Sequence, residues 1–90
     1  MQVPAIHLNG SSPADLMEGY QNAVFALNEA FSAVQKTAPN NRDYYVISAD
    51  TGNVAFREHR ERLAKIQSVI DELMASWEHV DAEAAKRRVA

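Results

Sequence analysis

The chain has no cysteine. That excludes a disulfide framework and any zinc, iron–sulfur or thiol-nucleophile site built on the residue. Glycine and proline are sparse, three of each, and no glycine-rich phosphate loop is present. No apolar run approaches the ~18 residues needed to cross a bilayer. Met1-Gln2-Val3-Pro4-Ala5 lacks the basic start and apolar stretch of a secretory signal, so no leader is expected. An excess of positive charge is missing too. Nine Lys and Arg stand against twelve Asp and Glu, a net charge of −3, which argues against general binding to a phosphate backbone. Large core-forming side chains are scarce, because 15 of the apolar residues are alanine in a chain of 90. A core of that kind suits close-packed helices, and at this size self-association is a common source of further burial.

What is present reads as two helices. Pro4 and Asn9-Gly10 keep residues 1–11 out of a helix, and Val3, Ile6 and Leu8 make an extended arm. Ser12-Pro13-Ala14-Asp15 is a helix start: Ser12 caps, Pro13 fits the first position, and Asp15 meets the positive end of the dipole. Leu16, Tyr20, Val24, Leu27, Phe31 and Val34 then recur at steps of three and four, predicting a first helix over 12–38. Pro39 stops it. Residues 39–53 are a loop with turn chemistry at both ends and local β character at Tyr44–Ile47. The second helix, 54–85, is capped by Asn53 or Thr51. It carries a heptad stripe of Phe56, His59, Leu63, Ile66, Ile70, Leu73, Trp77, Val80 and Ala84. Glu58 with Arg62 and Glu61 with Lys65 are acid-before-base pairs at i,i+4. Lys86-Arg87-Arg88 opens a frayed basic tail over 86–90.

The fold class is therefore all-α, a single domain. It is an antiparallel helical hairpin with an extended N-terminal arm and a long inter-helix loop. The second helix, about 48 Å long, overhangs the first, about 39 Å. The arm is expected to cover Trp77 and Val80. One side of each stripe is left open, which predicts a four-helix-bundle dimer or a higher homo-oligomer joined through Leu63, Ile66, Ile70, Leu73 and Trp77. Charge gives the orientation. Arg57, Arg60, Arg62 and Lys65 precede a stretch, Ile66–Ala85, with five carboxylates and no Lys or Arg. Antiparallel pairing sets the basic segment against the acidic one.

No catalytic constellation occurs: there is no Gly-x-Ser-x-Gly elbow and no His-Glu-x-x-His helix. Neither enzymatic activity, nor a cofactor, nor a metal site is expected. His59 on the heptad stripe is either a hydrogen-bonded histidine at the bundle's end or an acid/base group beside the loop. Phe25 and Met17 lie off the first stripe and either widen it or form a subunit contact. A connection of this length between helices exceeds the usual ~2–8 residues, so it draws the site hypothesis. Arg42 offers a planar fork for phosphate or carboxylate, and Tyr44 and Tyr45 offer stacking faces. Asn41 supplies an amide, while Arg57 and Arg60 begin the next helix, whose free N–H groups favour anions. This set fits a small nucleotide. The competing reading folds the tyrosines and Ile47 back as a hydrophobic cap, with Arg42 and Asp43 as a local ion pair.

Four segments carry a family resemblance: Ile6-His7-Leu8-Asn9-Gly10, Asp15-Leu16-Met17-Glu18-Gly19-Tyr20, Pro39-Asn40-Asn41-Arg42-Asp43-Tyr44-Tyr45 and Glu58-His59-Arg60-Glu61-Arg62-Leu63. Together they are similar to small helical proteins encoded by tailed bacteriophages and prophages, and the resemblance spans most of the chain. It implies a bacterial host cytoplasm as the setting. It also implies an accessory role against host defence, since some phage-encoded helical oligomers act as sponges for nucleotide immune signals. This chain shares their size and expected hairpin build rather than a residue motif. Two other roles fit the same resemblance: a protein–protein inhibitor working through the acidic run Asp71–Glu83, and a structural or assembly component of the phage.

Overall fold

In the computed structural model, which describes residues 1–89, helix α1 spans Pro13–Gln35 and helix α2 spans Thr51–Val89. Between them lies a short 3-10 turn, Asn41–Asp43. The described residues contain no strand, and the molecule is an all-helical hairpin, as the periodicity predicts. Tyr44–Ile47, with its local β character, forms turns instead.

The helix bounds differ from the sequence reading, each for a local reason. Ser12 caps α1 as expected, its hydroxyl accepting from the Asp15 N–H at 3.1 Å. The α1 C-terminus comes three residues early. Lys36, Thr37 and Ala38 donate to Ala33, Val34 and Gln35 in i→i+3 bonds, and the Thr37 hydroxyl also donates to the Val34 carbonyl at 2.7 Å. These bonds tighten the last turn before Pro39. Helix α2 starts three residues early, because the Asp50 carbonyl accepts from Val54 N–H at 3.2 Å. Asp50 therefore holds the capping position expected of Asn53 or Thr51. Ser48 Oγ, 3.2 Å from Thr51 N, receives a second free N–H. At the other end α2 continues to Val89, where fraying was expected from residue 86. Lys86 pairs with Glu83 at 3.1 Å, Arg87 donates to the Ile6 carbonyl, and three basic residues complement the negative end of the dipole. Ala90, the end of the expected tail, lies outside the described residues.

The helices run antiparallel. Pro13 lies beside Ala84 and Arg88 at one end, and Tyr20 and Val24 lie beside Trp77 and Met74 further along. At 1.5 Å per residue α1 is about 34 Å long and α2 about 58 Å. The overhang falls at the start of α2, where the loop packs. The arm occupies the other end. Met1 sulfur lies 4.0 Å from the Ser76 hydroxyl and Ile6 meets Arg87, so the arm follows α2 along the flank marked by Ser76, Val80, Glu83 and Arg87. Leu8 takes no part in that cover. It is 97% exposed, in the turn closed by Gly10 N–H to His7 carbonyl.

The core is thin. Ile70, Val80 and Ala84 are the buried apolar residues, with Val80 fully enclosed, and α1 has no buried residue. Every member of the α1 stripe is half-buried. The molecule measures 65 × 20 × 20 Å, with a radius of gyration of 19.5 Å. A compact chain of this length would have about 12 Å. Among the described residues no helix is long and apolar enough to cross a membrane.

Candidate functional site

The loop is a folded structure. Asn40 Oδ1 accepts from Arg42 N at 3.0 Å and from Arg42 Nε at 3.4 Å, an Asx turn that aims the guanidinium. Tyr44 N and Tyr45 N both donate to the Asn41 carbonyl, at 3.0 and 2.9 Å, and Ile47 N donates to the Tyr44 carbonyl at 2.9 Å. The Asn41 side-chain oxygen lies where a Cβ on Gly52 would stand, so the loop rests on the first turn of α2.

Under the loop is a hollow of about 200 Å³ lined by Pro39, Tyr44, Thr51, Val54, Glu58 and Arg62. Its charged groups are paired: Arg62 lies 3.5 Å from Glu58, the i,i+4 contact expected from the sequence. The companion pair, Glu61 with Lys65, is not formed among the described residues.

The six residues proposed as a ligand set separate here. Tyr44 turns into the hollow and Asn41 docks on Gly52, while Arg42 and Tyr45 are exposed, Tyr45 by 61%. Arg57 and Arg60 are exposed and do not line the hollow. Two residues along a helix turn ~200°, so Arg60 leaves α2 on the flank opposite Glu58 and Arg62. Arg62 is the cation the sequence reading passed over, and its i,i+4 position relative to Glu58 was the available signal. The alternative cap is realised only at Tyr44. Val46 and Ile47 are exposed, and Arg42 is held by Asn40 rather than by Asp43.

His59 is 4% exposed, and its Nδ1 has no hydrogen-bond partner. Phe56 meets its ring edge-on, centroids 6.4 Å apart. Neither expected form, the hydrogen-bonded histidine or the accessible acid/base, describes that environment. No group of three or more His, Asp or Glu that could hold a metal ion occurs among the described residues.

Leu63, Ile66, Ile70, Leu73 and Trp77, the residues expected between subunits, fall on the seam that α2 turns toward α1 of the same chain. The open apolar surface lies beside that seam. Tyr20, Val24, Phe25, Met74 and Trp77 line a groove of about 380 Å³, with Phe25 66% and Met74 47% exposed. Met17 is half-buried and widens the α1 stripe, whereas Phe25 stands clear of it. Comparison with known protein families, curated proteins and solved structures gives no match for this chain.

Proposed function

We propose that the chain is a non-enzymatic interaction protein of phage or prophage origin. It acts in the bacterial host cytoplasm as a homo-oligomer and counteracts a defence system by binding a host component with its loop end. The carrying observation is the consecutive exposure of Tyr45, Val46 and Ile47 on a loop whose backbone is closed by its own hydrogen bonds. Exposed aromatic and aliphatic side chains on a pre-ordered segment favour protein contact, because little ordering entropy is lost on binding. The resemblance to phage proteins supplies the setting.

Sequestration of a nucleotide is the second reading, favoured by the Arg42 guanidinium held beside Tyr44 and Tyr45. It is weakened by the size of the hollow, below the ~300 Å³ usual for small-molecule sites, and by the Glu58 carboxylate within it.

Phage plating on strains carrying single defence systems tests the proposal. The wild-type chain, expressed in trans, should restore plating against at least one system. A Tyr45→Ser, Val46→Ser, Ile47→Ser variant of unchanged helicity should not. Restoration against no system contradicts the anti-defence role, and full activity of the triple variant contradicts the loop as its surface. Calorimetric titration with cyclic and linear nucleotides separates the second reading, which fails if no heat is seen at tens of micromolar protein.

A further inference from the structure

We propose that the groove flank of the hairpin is the seat of a second copy of this chain, packed antiparallel with the two-fold axis passing near Ile70 and Asp71 of α2. The inference rests on the reading of the chain as a homo-oligomer and adds the face, the direction and the register.

The two flanks of α2 are unequal. Arg62, Val69, Ser76 and Glu83 recur every seven residues on one flank. There Arg62 lines the loop hollow with its side chain still exposed, Val69 is 45% exposed, and the arm meets Ser76, which is buried. Arg60, Gln67, Met74 and Asp81 recur every seven on the opposite flank, the first three exposed and Asp81 half-buried. Phe25, Met74, Phe56 and the groove between the helices lie on that open side. Trp77 Nε1 is shielded there without a hydrogen-bond partner.

The occupant follows from area and charge. The solvent-accessible surface is 6666 Å², against about 5,200 Å² for a compact monomer of 10.0 kDa. The excess, roughly 1,400 Å², is more than the ~800 Å² per partner that a standard protein–protein interface removes. Four residues on the open flank set the register. About an axis near Ile70 and Asp71, antiparallel pairing puts Arg60 opposite Asp81 of the second copy and Met74 opposite its Gln67. The two-fold repeats both contacts. Parallel pairing would stack Arg60 on Arg60 and Asp81 on Asp81. An isologous contact of this kind closes at two chains, which leaves arm and loop on the outside.

The absence of cysteine makes the test clean. A chain carrying Arg60→Cys is mixed with one carrying Asp81→Cys and oxidised mildly. Covalent dimers of one chain of each type are expected in excess of either like pair. In parallel, sedimentation velocity follows a Phe25→Asp, Met74→Glu variant with circular dichroism as the check on folding. Dissociation is expected to be easier by roughly tenfold or more. Like-pair cross-links in excess contradict the antiparallel register. A variant that stays as tightly paired as the wild type contradicts the face while leaving the homo-oligomer intact. A wild-type chain that is monomeric throughout overturns both. If the double variant loses helicity, the cross-link distribution in the otherwise unaltered chain decides.

Discussion

At Ile70, 2% exposed, nearly every apolar atom of the side chain is already out of water in one chain. Ile70→Ala should therefore cost about 2–5 kcal/mol, read as a fall in the urea midpoint. Leu8→Ala, at a side chain that is 97% exposed, should stay within about 0.5 kcal/mol of wild type. An equal effect at the two positions would contradict the placement of the core. His59 works the other way. Its buried Nδ1 has lost water without gaining a partner, which costs about 1–3 kcal/mol. His59→Leu keeps an apolar body and removes that atom, so the thermal midpoint should rise; a fall would mean the ring nitrogen has a partner in solution. Sequence placed both residues on the stripe. It could not separate them from Leu63 or Ile66, because burial along α2 depends on where arm, loop and α1 lie, and those contacts are long-range.

At the scale of elements, the hairpin was legible and its joints were not. Steps of three and four in Leu16–Val34 and Phe56–Ala84 identify two helices, because side-chain periodicity is a local property of the backbone. Asp50-Thr51-Gly52-Asn53 has the composition of a turn, yet its residues supply the cap and first turn of α2, since the same side chains satisfy N–H groups in either setting. Tyr44 and Tyr45 are neighbours of one type. One faces the hollow and the other solvent, because a single 3-10 turn upstream sets their directions. The candidate site divided for that reason. Two glycines test the elements directly. Gly19 lies within α1 with open space where a Cβ would go, so Gly19→Ala should stabilise by about 1 kcal/mol and raise the thermal midpoint by several degrees. Gly52→Ala forces the exposed Asn41 side chain to swing aside, so it should gain less stability than Gly19→Ala. In an Asn41→Ala background the same change should raise it by up to about 1 kcal/mol, as helix propensity alone then decides. An equal gain in both backgrounds would contradict the packing of Asn41 on α2.

For the whole molecule, the unequal covering of the two flanks matters most. Arm and loop, about a third of the chain, both pack on one side of α2, where they leave Val69 45% exposed but bury Ser76. The other side keeps Phe25 and Met74 in water, and α1 has no buried residue. A hairpin with this little enclosed surface is short of apolar burial by itself, which the proposed second copy on the groove flank would supply. In the proposed dimer the charge asymmetry of α2 would select antiparallel over parallel pairing, and the preference should weaken as salt screens the flanking charges. Composition pointed to self-association and the heptad stripe to Leu63–Trp77 for it; α1 of the same chain packs on that stripe, so the proposed dimer uses the flank beside it. Sedimentation equilibrium of the unmodified chain tests this account most directly. A single species of twice the 10.0 kDa chain mass is expected, dissociating on dilution without a larger assembly. A 10.0 kDa monomer at every concentration up to the limit of solubility would contradict it.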